Sequence, residues 1–542
     1  MADLTCHRIK LQSDAIRVLV LEPTDEDLDD AFIQCRLVST SIEKPVAYEA
    51  LSYTWGDDAL SPTRFIDCDG DVTPVTINLY EALLAMRYSD RPRTLWVDAL
   101  CIDQSNNKER NHQVSLMARI DRKAAGVLIW VGNDGPAMDG ERSFQYLRQL
   151  YDIVQSESKA RKFVVGPNVP QPKGDAPWPH PSVEFALNLF LRRSWFRRRW
   201  VLQEVYHGRK VQIQCGHQSM SWEEFVVSFL RLYSADHRYR LPLPVFNIPH
   251  ASRNLILDHL DLFDEHDCQD PRDRIFSLLS LDERNSFLPD YALTTPEVFT
   301  AFAQHSVMEG SGVHVLAQAS WQPYTGRIAS DLATWIPDWR RSVRDSRMLK
   351  QDVVTLGFST EWKEELVLTE KTIMKDLCTG QQIPYDPITE TVPQAQPPVR
   401  LSECKAKLIV RAHIVGTVVS WSRPFKVPAT ASRFGLLNVG KFVVRSDHPL
   451  GRRLAFVTSE FADTTTRPDG YLYEGYHSGD IECGDTVCCV SGSGLTVALR
   501  PRKDHTGEWQ LVRWCAVPGF EVEDESVVIS VDFCIAQAQS AT

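Results

Sequence analysis

The chain of 542 residues has no surplus of basic residues: 59 Lys and Arg stand against 71 Asp and Glu, for a formal net charge of −12. A field of that sign excludes a general affinity for nucleic acid or anionic membrane, both of which need positive surface potential. Apolar runs approaching the roughly 18 residues that cross a bilayer are also missing, so no membrane span is expected. The opening MADLTCHRIK lacks the apolar core of a secretory signal, so no leader is expected either. None of the 13 cysteines forms a C-x-x-C pair. Reduced thiols and a cytoplasmic setting follow, not a disulfide framework. Cys483, Cys488 and Cys489 have no second pair at ligand spacing, and His112 and His217 stand alone, so no metal site is expected. There is no Walker loop, nucleophile elbow or internal repeat. Gly492-Ser493-Gly494 lacks the strand, helix and downstream acid of a dinucleotide fingerprint.

What remains is a globular composition, 43% hydrophobic and 10% aromatic with 14 Trp, in a chain long enough for two or three cores. Buried strands are predicted at 16–21 (IRVLVL), 47–53, 94–98 (TLWVD), 127–131 (VLIWV) and 211–215 (VQIQC). Helices are expected at 79–86, 106–125 and 143–155, the second capped by Asn106 with Glu109 and stopped at Gly126. Val114, Met117 and Ile120 or Asp121 mark its inner stripe. Apolar strands alternating with helices imply an α/β domain with a parallel sheet over roughly the first 215 residues. The proline-rich stretch 166–181 reads as an irregular loop. Residues 217–350 read as a helical region, with helices at 222–233, 252–263 and 273–281. Residues 351–400 read as a linker or poorly ordered insertion, and 401–542 as a mostly β C-terminal module.

The stretch RRSWFRRRWVLQEV, 192–205, carries the one conspicuous acid, Glu204. If Ser194 caps a helix, residues 196, 200 and 204 share a face, and Glu204 points with Phe196 and Trp200. A carboxylate on an apolar stripe is costly unless paired or used. Spacing leaves two explanations open: an ion pair to one of Arg197–Arg199 or another arginine, or a working carboxylate. The arginine cluster itself reads as a solvated or partner-paired face, with phosphate binding as the alternative.

Three blocks occur in order: YEALSYTWGD (48–57), LWVDALCIDQSNNKER (95–110) and SWFRRRWVLQE (194–204). In these the sequence resembles the HET (heterokaryon incompatibility) domain family of filamentous fungi. DPRDRIFSLLSL (270–281), PDY (289–291) and LATWIPDW (332–339) look like segments that follow the domain in large HET proteins. The ending departs from the family pattern, with Arg513 and Trp514 where a glycine and a small residue are usual.

That resemblance implies a HET domain over 1–216 with its core at 48–205. It further implies a TIR-like, flavodoxin-like parallel sheet, because HET domains are similar to TIR domains. In enzymatic TIR domains a glutamate lies four residues after a tryptophan, the relation of Glu204 to Trp200. The resemblance therefore implies Glu204 as the catalytic residue of an NAD glycohydrolase, with NAD as substrate and no cofactor. Ligands of open parallel sheets sit beyond the strands' carboxyl ends. This makes Tyr53 and Trp55 candidates for an aromatic wall, Asp98 and Asp103 for holding ribose hydroxyls, and Gly56 and Asp57 for the turn beside them. The implied biology is programmed cell death in incompatibility or innate immunity, with self-assembly or signalling-protein partners. A non-enzymatic signalling scaffold is the alternative.

Overall fold

A computed structural model describes residues 11, 14–23, 32–56, 63–161, 179–235, 256–282, 284–321 and 331–340, then separate strands and one turn between 374 and 531. The chain divides into two compact units, 1–295 and 296–542.

The first unit is built on a nine-stranded mixed sheet. Its strands are β1 (Ala15–Leu21), β2 (Gln34–Ser41), β3 (Glu49–Ser52), β4 (Thr63–Cys68), β5 (Asp71–Thr76), β6 (Arg93–Trp96), β7 (Val127–Trp130), β8 (Val211–Cys215) and β9 (Gln218–Ser221). The order is β5-β4-β2-β1-β6-β3-β7-β8-β9. At its centre β6, β3, β7 and β8 are parallel, with Ala50 opposite both Trp96 and Val127, and Val127 opposite Val211. Every residue of β7 is buried, as a strand covered on both faces requires. Taken in chain order, this block runs second, first, third, fourth, so winding reverses between β3 and β7. Such a reversal opens a crevice beyond the carboxyl ends of those strands.

Helices α1 (Ile77–Met86), α2 (Asp98–Cys101), α3 (Asn107–Lys123), α4 (Asp139–Arg161), α5 (Pro181–Leu191), α6 (Val201–His207) and α7 (Trp222–Ala235) complete the layers. As the sequence predicts, Asn106 caps α3, its side chain accepting from the amides of Lys108 and Glu109. Glu109 does not reach back as a capping box would. It holds Arg17 and the Asp103 amide instead. The buried face of α3 is Gln113, Leu116, Met117, Ile120 and Asp121, leaving Val114 half-buried.

One expectation is overturned. Ser194 does not begin a continuous helix: a 3-10 turn covers Ser194–Arg197, Arg198 is extended, and α6 starts at Val201. The cause is a long-range bridge. Arg199 N–H donates to Asp267 O at 2.9 Å and Asp267 N–H to Arg197 O at 2.6 Å, taking up the backbone groups a helix would use itself. Phe196, Trp200 and Glu204 therefore do not stack on one face. The expected helix at 273–281 is also interrupted, into a short helix Asp273–Phe276 and a 3-10 turn Leu279–Leu281.

In the second unit, helices cover Thr295–Ser306 and Gly312–Trp321, with Gly310 at φ +89° in the π-helical turn between them. Trp339 donates its indole N–H to Gln318 Oε1 at 3.0 Å. From Val399 onward the described elements are strands, paired antiparallel except for Glu508–Ala516 with Val527–Val531. The pairings close on themselves: Leu408–Trp421 pairs with both Thr486–Val490 and Leu437–Ser446. The 166–181 loop lies mostly outside the described residues. So do residues 351–400, apart from the strand pair Met374–Lys375 with Gln382–Ile383 and the start of strand Val399–Leu401.

Candidate active site

The site is assembled at the carboxyl edge of the parallel block. Each of its strands stops there, and the next few residues turn across the sheet end: Tyr53–Gly56 after β3, Val97–Asp98 after β6, Val131–Gly135 after β7. Asn78, in the first turn of α1, ties two of these ends together. Its Nδ2 donates to Thr54 O at 2.7 Å, and its Oδ1 accepts from Trp130 Nε1 at 3.0 Å. Arg193 braces the third end. It donates to the carbonyls of Val131 and Asn133 and pairs with Asp139 at 2.8 Å. Gly132 sits at φ +101°, a conformation side chains rarely adopt, and a Cβ there would stand 3.0 Å from Arg193 Nη1.

Arg198 is the centre of the constellation. Its Nη1 donates to Tyr53 O at 2.6 Å and to Glu204 Oε1 at 3.2 Å, and its Nη2 donates to Asp98 Oδ2 at 3.3 Å. Asp98 in turn accepts from the Trp55 indole N–H at 3.0 Å and from the Ala99 amide at 2.8 Å. Of the expected site residues, then, Tyr53, Trp55, Asp98 and Glu204 are brought together through one guanidinium.

Glu204 is 6% exposed. Burial pushes its carboxyl above the ordinary glutamate range, while the Arg198 charge and the neighbouring Ser52 hydroxyl pull it back. Ser52 is held by the Trp195 indole, whose N–H donates to its Oγ at 2.8 Å. The second carboxyl oxygen, Oε2, is buried without a hydrogen bond of good geometry. Arg198 itself is raised, because Glu204 and Asp98 together outweigh its burial.

A third acid, Asp121 on α3, feels the same charges. Burial lifts its carboxyl well above the aspartate range, and Glu204 and Asp98 add to that. At 1% exposure it is an acid in a neutral-favouring environment. Among the described residues no group of His, Cys, Asp and Glu forms a metal-holding cluster. No helix among them is long and apolar enough to cross a membrane.

The other expected site residues make different contacts. Trp200 stands one turn before Glu204, and its indole N–H donates to Asp273 Oδ2 at 3.0 Å. Asp103 closes its own turn by accepting from the Ser105 amide at 3.1 Å. Gly56 adopts φ +103°, and its carbonyl accepts from Gln269 Nε2. Asp57 falls outside the described residues.

Comparison with known proteins adds a decisive observation. The family model described as "Heterokaryon incompatibility protein (HET)" matches residues 48–204. The chain carries a HET domain. A curated relative, "Heterokaryon incompatibility protein 6, OR allele" of Neurospora crassa, is 24% identical over 415 residues, covering 63% of this chain and 60% of that protein. The alignment therefore spans less than two thirds of the relative's length. No solved structure matches.

The HET match ends at Glu204, yet the compact unit that contains it runs on to 295. Arg199, fully buried, depends on that continuation: its guanidinium donates to Phe263 O at 2.7 Å and Arg274 O at 3.0 Å. Sequence reasoning missed Ser52, Asp121 and Asp273 as neighbours of the site, and named Arg198 only within Arg197–Arg199, beside any other arginine, as a possible partner for Glu204. The signal available for Asp121 was its place at the margin of the α3 stripe.

Proposed function

We propose that this chain acts in fungal heterokaryon incompatibility, and that its HET domain is a TIR-like unit that hydrolyses NAD with Glu204 as the catalytic residue. The observation that carries the reading is the convergence of Glu204 and Asp98 on Arg198 at the carboxyl edge of the parallel strands, where open α/β sheets take their ligands. The second, first, third, fourth order of the parallel block supports the TIR-like part of the reading.

The chemistry asks little of acid catalysis. The nicotinamide of NAD is cationic, and when the bond from ribose C1′ to its ring nitrogen breaks, the electron pair stays with the ring and it leaves neutral. A carboxylate beside the ribosyl centre stabilises the oxocarbenium-like transition state. Water then adds to C1′ and loses a proton, giving ADP-ribose and nicotinamide. Glu204 supplies the negative charge, Asp98 is suited to bind ribose hydroxyls, and Trp55, bonded to Asp98, is suited to lie against a flat ring, whereas Tyr53, 1% exposed, serves through its backbone carbonyl. In the cell, NAD depletion in the cytoplasm accounts for programmed cell death as a response to non-self.

A second reading has its own support. The Glu204 side chain is 8% exposed and paired with Arg198, which suits a signalling scaffold that acts by self-association or partner binding. Incubation of the purified chain with NAD separates the two. The first reading expects nicotinamide release that falls about 100-fold or more in Glu204→Ala. Self-association without turnover would favour the scaffold.

A further inference from the structure

Of the five arginines in 192–199, Arg198 alone touches both candidate acids. Arg193 serves Asp139 and two carbonyls, Arg197 meets Asp267 at 3.6 Å, and Arg199 is spent on backbone carbonyls. We propose that Arg198 is a positioning residue for NAD cleavage: it holds Glu204 and Asp98 in register across the site and keeps the Glu204 carboxylate charged for the reaction. This rests on the NAD reading given above.

Three features argue for more than structural support. The fork is anchored at Tyr53 O, a backbone atom at the end of β3, so its position is set by the sheet and not by flexible side chains. Its two nitrogens divide between the acids, Nη1 to Glu204 and Nη2 to Asp98, which fixes their separation as no lysine could. Finally, the extended backbone of Arg198 is imposed by the Asp267 bridge. A continuous helix through 194–204 would have kept residue 198 in its own turn.

The groups that set the charge on Glu204 come from every side of it. Arg198 lies in the preceding loop, Asp98 at the start of α2, Asp121 on α3, and the uncharged Ser52 hydroxyl on β3. Beyond Arg198 stand Tyr53 and Asp273, which also act on the guanidinium. Among the described residues Arg198 is the one cation paired with Glu204. Without it, burial and Asp98 act together to favour the protonated form, which cannot stabilise an oxocarbenium centre.

The test uses the full chain in wild type, Arg198→Met, Arg198→Lys and Glu204→Gln. Nicotinamide release from NAD is followed against pH, and the Glu204 carboxyl is titrated by carboxylate infrared difference spectroscopy with Glu204→Gln as the subtraction. In Arg198→Met the Glu204 titration and the acidic limb of the rate profile move up together by about one pH unit or more. In Arg198→Lys the limb moves by less than half of that while the plateau rate drops about 10-fold, because the charge stays and the fork is lost. A Glu204 titration unmoved in both variants would overturn the assignment, as would failure of both variants to fold, which would make Arg198 structural only. If wild type lacks turnover, or Glu204→Gln keeps it, the NAD reading falls, and the infrared titration still decides whether Arg198 holds Glu204 ionised.

Discussion

Trp200 donates its indole N–H to Asp273 Oδ2 at 3.0 Å, while Tyr291 donates its hydroxyl to Asp273 Oδ1 at 2.5 Å. One carboxyl from beyond the matched segment thus receives a tryptophan of the HET domain and a tyrosine of the segment that follows. Two guanidinium groups lie against the Tyr291 ring, Arg110 on α3 at 3.8 Å and Arg272 at 5.2 Å. The backbone closes the same junction, with Tyr291 N–H donating to Asn111 Oδ1 at 2.8 Å.

Asp273 makes this junction sensitive to pH. Burial lifts its carboxyl from the ordinary 3.8 to about 6, against the pull of Tyr291 and Trp200. Because the folded value is raised, the native state binds the proton more tightly than the unfolded chain. The contribution is present in full below about 4 and is lost as pH rises through about 6. Urea unfolding of wild type against Asp273→Asn should show wild type losing up to about 3 kcal/mol relative to the variant across that window. Parallel curves would count against the assignment.

Tyr291→Phe keeps the ring beside its two arginines and removes only the hydroxyl. The expected cost is about 1–2 kcal/mol by urea unfolding near neutral pH. Since the Tyr291 hydroxyl holds Asp273 down, the variant should also shift the pH-dependent loss of stability upward. A larger cost with no shift in that window would place the effect in packing.

Gly208 ends α6 at φ −63°, a conformation open to any residue. It is required for space. A Cβ there would stand 2.7 Å from Val211 Cγ2, 2.8 Å from Val127 Cγ2 and 3.0 Å from Glu204 O. Gly208→Ala should therefore destabilise by about 1–3 kcal/mol in thermal or urea unfolding. Because it pushes on the helix that carries Glu204, it should also lower NAD turnover. An alanine tolerated in both measurements would mean that β7, β8 and α6 can separate without cost.

Much of the first unit was legible because local signals agreed with one another. VLIWV is a continuous apolar run and IRVLVL one broken only by Arg17, and they became β7 and β1, while Asn106 capped α3 as its position suggested. The β4–β5 hairpin was not legible. Its strands TRFIDC and DVTPVT carry little apolar signal, and Pro74 interrupts the second, which is the edge of the sheet. At the site, Trp55, Asp98 and Tyr53 followed from the rule that ligands meet strand ends. What could not be read was the break at Arg198, because its cause is Asp267, far along the chain and joined only by a tertiary bridge. The break lies before Trp200, whose carbonyl accepts from the Glu204 amide, so the four-residue spacing of Trp200 and Glu204 is kept while Phe196 is taken out of line.

The central claim is that Glu204 cleaves NAD. It is tested most directly by nicotinamide release from NAD with the purified full chain, as isolated and as a forced oligomer, in wild type and Glu204→Gln. Turnover by wild type in at least one assembly state, with loss of about 100-fold or more in Glu204→Gln, is the predicted result. Turnover that survives Glu204→Gln, or wild type that is inert in both states, would contradict it.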